Sequence, residues 1–209
     1  MTSVAMRTLD DVPSASWGAV TDPGDLVQVL EPGAQLCVWQ RHEVPLRVEG
    51  LAGQDGLVGK HTLEVLKSGQ SPTLATLRGG QARSVLTADL AMLGELLCDL
   101  VGSPSFGLRV AHVSHAMCPG WHIDKVTMRI VCTYGGPGTE WLQDQTVARC
   151  ALRDVTGKHI SANVGDVVFL KGSGWPGNEH FGAIHRSPEL STGAGPRTVV
   201  TLDPLWLSD

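Results

Sequence analysis

At 209 residues the chain can bury about 70% of its unfolded surface, enough for one substantial core but cramped for two full domains. Hydrophobic residues at 42% and charged residues at 18% exclude a disordered chain. A formal net charge of −5 without any Lys/Arg-rich run argues against a nucleic-acid partner, and 25 glycines with 12 prolines favour a turn-rich β architecture. Cys37, Cys98, Cys118, Cys132 and Cys150 are odd in number and form no CxxC pair, so they read as reduced thiols. The first residues, MTSVAMRTLDDVPSASW, carry acids where a signal peptide needs an apolar region, and no apolar stretch is long enough to span a membrane. A cytoplasmic protein with no membrane partner is expected.

In chain order, residues 1–35 hold scattered Pro, Gly and Asp, with a helical turn or two predicted over Asp25–Leu30. Short strands are predicted at 36–41 and 44–48. Leu90, Leu93, Leu96, Leu97 and Val101 keep the spacing of one buried helical face. They predict a helix over 87–101, with Thr87 or Asp89 as N-cap and Gly102 just past its end. After Pro104 the texture turns to short strands at 108–113, 121–124, 127–134, 139–142, 167–171, 182–185 and 198–202. Gly135–Gly138 and Gly165-Asp166 mark turns between them. Strands at this spacing without alternating helices predict an antiparallel sandwich or barrel of jelly-roll type. The expected organisation is an N-terminal α/β elaboration over 1–105 packed on a jelly-roll metal-binding core over 106–209, the two forming one compact domain.

The most informative feature is His122-x-Asp124, followed 61 residues later by His185 and after 12 more by Arg197. Two imidazoles and a carboxylate are the set that grips a divalent iron by one face and leaves the other open. Residues two apart on a strand share a side, so His122 and Asp124 can hold one ion while Ile123 faces away. An isolated HxD is a chance match in many proteins. Here it is backed by Gly165-Asp-Val-Val-Phe-Leu170, a tight turn into a buried strand. Ala183-Ile-His185 then closes an apolar segment on a histidine, and Pro196-Arg197 opens the next strand on a cation.

The order HxD, GTE after a Gly-rich turn, GDVVF, His and a basic residue on the following strand resembles the iron(II)/2-oxoglutarate-dependent dioxygenases, in a prolyl-hydroxylase-like layout. The resemblance covers roughly residues 108–205. It implies a double-stranded β-helix (jelly roll, cupin-like), with Fe(II) held by His122, Asp124 and His185. It also implies 2-oxoglutarate as cosubstrate, anchored by Arg197, and oxidation of a small molecule or side chain by O₂. HIDKVTMRIVCTYGGPGTEWL and LKGSGWPGN…AIHRSP resemble, over most of the chain, a bacterial family known only as a domain of unknown function. A cupin-like metalloprotein using iron or zinc without 2-oxoglutarate, or a non-catalytic metal-binding protein, is the alternative.

Beside these, Tyr134 is a candidate hydroxyl for the cosubstrate carboxylate, against a core tyrosine with its hydroxyl satisfied. Alternation places Met128, Ile130, Cys132 and Tyr134 on one face and Arg129, Val131 and Thr133 on the other, so Arg129 and Tyr134 should not share the pocket. Trp175, in the lid-like loop Gly172–Gly177, Arg129 and Glu140 are candidate substrate contacts. Cys118 reads as a buried thiol, Trp206 as a core anchor, Arg186 as pointing away from the site, and His112, His115 and His180 as surface or structural residues. Substrate identity and oligomeric state are not legible.

Overall fold

The computed structural model describes residues 16–42, 61–77, 80–146, 152, 155, 157–190 and 195–206. The strand expected over 44–48, and Cys150, lie outside them. Ten strands are described: β1 (Ser16–Val20), β2 (Ala34–Trp39), β3 (His61–Lys67), β4 (Ser105–Val113), β5 (Met128–Gly135), β6 (Glu140–Leu142), β7 (His159–Ser161), β8 (Val167–Lys171), β9 (His185–Arg186) and β10 (Arg197–Leu205). A 3-10 helix (Pro23–Leu30) replaces the expected helical turn over 25–30, with the Asp22 carboxylate accepting from the Gly24 N–H. The described helix, α1, runs Gln81–Val101.

Seven strands form one sheet in the order β1-β2-β8-β5-β10-β4-β3, and three form a second in the order β7-β6-β9. His122 joins the free edge of the small sheet through an isolated antiparallel bridge to His185. From β4 onward the chain visits large, small, large, small, small, large, small and large sheets, His122 being the second visit. That alternation is a jelly roll: β4, β10, β5 and β8 lie side by side in the large sheet and the His122 segment, β9, β6 and β7 in the small one, the layout of a double-stranded β-helix. The protein is therefore mainly β with a helical elaboration. β1 and β2 extend one edge of the large sheet and β3 the other. The sequence reading missed β1, β3 and β7. It placed a strand at 121–124, where only the bridge at His122 forms.

The large sheet is apolar on both faces. One face packs under α1, where Leu86, Leu90, Leu93 and Leu97 meet Phe106, Met128, Ile130 and Phe169. Full burial of each such side chain is worth about 1.5–3 kcal/mol. The other face meets the small sheet through Leu36, Val38, Val131, Trp141, Val168 and Val199. α1 ends as expected at Gly102, whose left-handed backbone (φ 67°) lets its N–H reach the Cys98 carbonyl. Its start differs: six residues precede Thr87, and the N-cap is Gly80 without a side-chain bond. Asp89 is not a cap because it is buried under the helix and paired with Arg41 at 2.7 Å.

That pair anchors helix to sheet. Arg41 also donates from Nε to the Gly165 carbonyl at 2.6 Å, and the Tyr134 hydroxyl donates to the other Asp89 oxygen. Burial pushes the Tyr134 phenol well above its ordinary range and the neighbouring Cys132 thiol up to about 12, so both stay protonated, the thiol sulfur accepting from Arg41 Nη2. Asp89→Ala would strand the Arg41 guanidinium, whose side chain is 4% exposed. It is expected to cost about 3–5 kcal/mol, read as a fall in the urea midpoint. An unchanged midpoint would show that the pair does not anchor the helix. Trp206, expected in the core, is instead 52% exposed, lying just past β10 with its indole N–H reaching only the Gly102 carbonyl. No helix among the described residues is long and apolar enough to cross a membrane.

Candidate metal centre

The two histidines are brought together by backbone pairing. His122 N–H donates to the His185 carbonyl at 3.0 Å and His185 N–H returns to the His122 carbonyl at 3.1 Å. Ile123 turns away into a small core with Leu142 and Ile184, as expected, leaving His122 and Asp124 on the open side. One ligand atom from each of His122, Asp124 and His185 lies within 4.8 Å of the others.

Hydrogen bonding fixes the tautomers. Nδ1 of His122 lies 2.9 Å from the Gly120 carbonyl, and Nδ1 of His185 lies 2.9 Å from the Ala183 carbonyl. A carbonyl only accepts, so each Nδ1 carries a proton and each ring turns its Nε2, the atom free to take a metal, inward. There His122 Nε2 stands 3.6 Å from Asp124 Oδ1 and His185 Nε2 stands 3.4 Å from Asp124 Oδ2. Burial, reinforced by His185, holds the His122 imidazole below its ordinary 6.5 and hence neutral. Burial opposes ionisation of Asp124, but His185 and Arg129 outweigh it and hold its carboxyl well below the usual range. Ligand atoms of one carboxylate and two imidazoles thus face one another across a gap that a cation would fill. Two nitrogens and one oxygen of this softness suit iron, zinc or manganese better than calcium.

Asp124 is steadied from the neighbouring loop. Ser173 N–H donates to the Asp124 carbonyl at 2.8 Å, while Gly172 and Gly174 donate to Thr127 and Val126 at 3.0 Å each. The Gly172–Gly177 stretch, expected to be a lid, is in this respect a brace. A Cβ on Gly172 would fall 2.1 Å from the Val126 carbonyl oxygen and 2.7 Å from that of Asp124. Gly172→Ala must therefore push the ligand-bearing segment aside. It is expected to cost about 1–3 kcal/mol and to weaken metal binding, checked by thermal denaturation and Mn(II) titration. Wild-type values in both would show that the segment yields freely.

Arg197 opens β10 and is buried, 2% exposed, on the wall of the same cavity of about 380 Å³. Its Nη2 donates to Thr139 Oγ1 at 2.8 Å and Thr133 Oγ1 at 3.2 Å, while its buried Nε has no hydrogen-bond partner. Among the described residues it makes no ion pair. Burial depresses its guanidinium to about 10, with Glu140 only partly compensating. A buried cation with a donor unpaired among the described residues, at the edge of a candidate metal-binding constellation, has the chemistry to accept an anion.

The other candidates sort by sheet face. Arg129 reaches the cavity, donating to Asp124 Oδ2 at 2.7 Å and twice to Asp203. Tyr134, on the opposite face of β5, is buried against α1 and cannot assist there, so the hydroxyls beside Arg197 are those of Thr133 and Thr139. Trp175 lies on the helix side over the Lys171 ammonium, 4.8 Å from ring centroid to Nζ, and does not line the cavity. Glu140 is held by Arg186 at 2.6 Å and does not line it either. Arg186 was expected to point away, yet it borders the cavity while stacked 4.2 Å over Trp121. Cys118 is exposed at the cavity rim, because its carbonyl is tied to Ser187 N–H and the rim leaves its thiol uncovered. Asp203, Thr133 and Thr139 were missed. For Asp203 the signal was present: 197, 199, 201 and 203 share one face of β10, and an acid in that row faces Arg197's cavity.

A family model described as a protein of unknown function, DUF1826, matches residues 20–203. No curated protein matches the chain. Among solved structures, the chain is similar to dioxygenase for auxin oxidation 1 from Arabidopsis thaliana, described as a 2-oxoglutarate binary complex. Identity is 12%, 93% of each chain is covered, and the TM-score is 0.49. The dioxygenase for auxin oxidation of rice is similar at 12% identity, covering 91% of this chain and 82% of that one, with TM-score 0.43. A 2OG-Fe(II) oxygenase family oxidoreductase from Burkholderia pseudomallei is similar at 14% identity over 90% and 95%, with TM-score 0.41. Identity this low leaves the chemistry to be argued from the site itself. With its family match extending over most of its length, the chain belongs to the DUF1826 family.

Proposed function

We propose that this protein is an Fe(II)- and 2-oxoglutarate-dependent oxygenase of a small molecule. The observation that carries the reading is a pairing: three converging candidate ligand atoms beside a buried guanidinium that has no carboxylate partner among the described residues. A plain metal site needs the first and has no use for the second. In this reading His122, Asp124 and His185 hold the metal by one face. Arg197, oriented by Thr133 and Thr139, takes the remote carboxylate of 2-oxoglutarate through its fork. Bound together, iron, 2-oxoglutarate and O₂ supply the oxidising chemistry, in which the keto acid leaves as succinate and CO₂ and one oxygen atom enters a substrate C–H bond. The chain's own part is position and dryness.

Val131 and Val199 line the cavity between the two arginines and keep water off the reacting face. The way in for substrate lies towards β3, where Leu63 and Val65 border the cavity and are 74% and 63% exposed. Residues 106–209 then form the catalytic core, with 1–105 as its buttress.

Anaerobic addition of Fe(II) and then 2-oxoglutarate is expected to give the visible charge-transfer band that a keto acid would produce if it chelated the iron. Iron-loaded protein without the band would turn the reading into a metalloprotein that does not use 2-oxoglutarate. Protein that takes up no metal would end it.

A further inference from the structure

The two oxygens of Asp124 are equivalent towards the histidines but not towards the rest of the protein. Oδ1 lies 3.6 Å from His122 Nε2 and Oδ2 lies 3.4 Å from His185 Nε2, so both face the gap in which an ion would sit. What separates them is Arg129. Its Nη1 donates to Oδ2 at 2.7 Å, while Nε and Nη2 are fixed on Asp203 Oδ1 and Oδ2, each at 2.7 Å. A guanidinium held by two bonds on one side presents its remaining N–H in a set direction. Strand register supplies the rest. Arg129 is the second residue of β5, and Asp203 lies near the end of β10, the strand hydrogen-bonded to it.

We infer that Arg129, braced on Asp203, is a positioning residue that confines Asp124 to binding metal through Oδ1 alone. The inference rests on the proposed function for its purpose. Carboxylates bind cations through one oxygen or through both. Two histidines and a one-oxygen carboxylate leave three positions of an octahedral ion open, enough for a keto-acid chelate and O₂. Recruitment of Oδ2 would take one of the three. The arginine thus protects an open position without touching metal, cosubstrate or substrate.

The test compares Arg129→Met and Arg129→Lys with wild type in the full chain. Two equilibria are followed: Mn(II) affinity by EPR titration, and 2-oxoglutarate affinity of the Fe(II)-loaded protein by its visible band. Arg129→Met frees the second oxygen and removes a cation, so Mn(II) is expected to bind several-fold more tightly. Its 2-oxoglutarate affinity is expected to fall about tenfold or more, the scale on which residues just behind metal ligands act. Arg129→Lys keeps a cationic donor for Oδ2 and is expected to restore most of both values. A merely structural role predicts the opposite on the metal arm, with weaker Mn(II) binding and a lower melting temperature in both variants. That outcome, or 2-oxoglutarate affinity in Arg129→Met equal to wild type, overturns the inference. If wild type binds metal but no 2-oxoglutarate, the proposed function fails. The inference then stands or falls on whether Mn(II) affinity rises or drops in Arg129→Met.

Discussion

Asp124→Ala is expected to reduce Mn(II) or Fe(II) affinity by more than about 100-fold, beyond what loss of a residue behind the ligands costs. The carboxylate is the one anion among the three donors, and it stands within 3.6 Å of both inward-facing ring nitrogens. Without it two imidazoles remain, and Arg129, relieved of one partner, presents uncompensated positive charge to the ion. Both changes act in the same direction. His122→Ala should also remove the metal, though less completely, because the charge survives. Isothermal titration with Mn(II) checks both; wild-type affinity in Asp124→Ala would mean that the HxD is accidental. The wild-type protein also has a distinctive acid limit. With the His122 pKa held below 6.5 by burial, protons begin to compete for that ring only at lower pH than for an ordinary imidazole. Mn(II) affinity measured against pH checks this: proton competition at that ring setting in where an exposed imidazole titrates would contradict its burial.

Arg197→Met should separate ligand binding from stability. A carboxylate seated on a buried guanidinium loses about 2–5 kcal/mol when the cation is truncated, or roughly 30- to 5,000-fold in affinity. The 2-oxoglutarate dissociation constant should rise by that factor while Mn(II) binding stays near wild type, since Arg197 touches none of the three ligands. In the same variant the ligand-free protein should melt higher. Among the described residues Arg197, 2% exposed, has no counterion and no bond to its Nε, and an apolar side chain of similar length removes that burden. Calorimetric melting curves with and without 2-oxoglutarate report both effects. If Arg197→Met loses the metal instead, the guanidinium belongs to the metal site and its assigned role is wrong.

How much of this was legible in the sequence depends on the range of the interaction involved. Alternation is local, and the division of β5 into Met128, Ile130, Cys132 and Tyr134 against Arg129, Val131 and Thr133 is what the fold displays. Which face looks into the cavity is not local. Both are largely apolar, one under a helix and one under a sheet, so Tyr134 and Arg129 were left competing until α1 was seen to cover the tyrosine. The same holds for Asp89, a good N-cap by type whose partner, Arg41, lies 48 residues away. β3 escaped notice because Leu63, Val65 and Leu66 break the alternation of a half-buried strand, two of them facing the open cavity mouth. The glycines of 172–177 read equally as a hinge or as a close approach. Only the position of the Val126 carbonyl tells the two apart. The His122, Asp124, His185 and Arg197 constellation was legible because its spacing follows from the alternation of sheets. Thr133 and Thr139 were not, since short hydroxyls reveal a role only through what they touch.

The reciprocal backbone bonds between His122 and His185 have a consequence for how an ion would arrive and leave. Two donors 63 positions apart in the chain are latched to each other by the peptide groups that carry them, so their separation is set whether or not anything lies between them. The freedom that binding would otherwise remove, about 1–2 kcal/mol for each backbone residue brought to order, has already been lost in folding. Stripping the metal with a chelator should accordingly leave the far-ultraviolet spectrum and the cooperativity of unfolding intact. Reloading should proceed in one fast phase, with no slow rearrangement behind it. The jaw is built closed to its working width, so an ion binding there would meet a site that folding has already set.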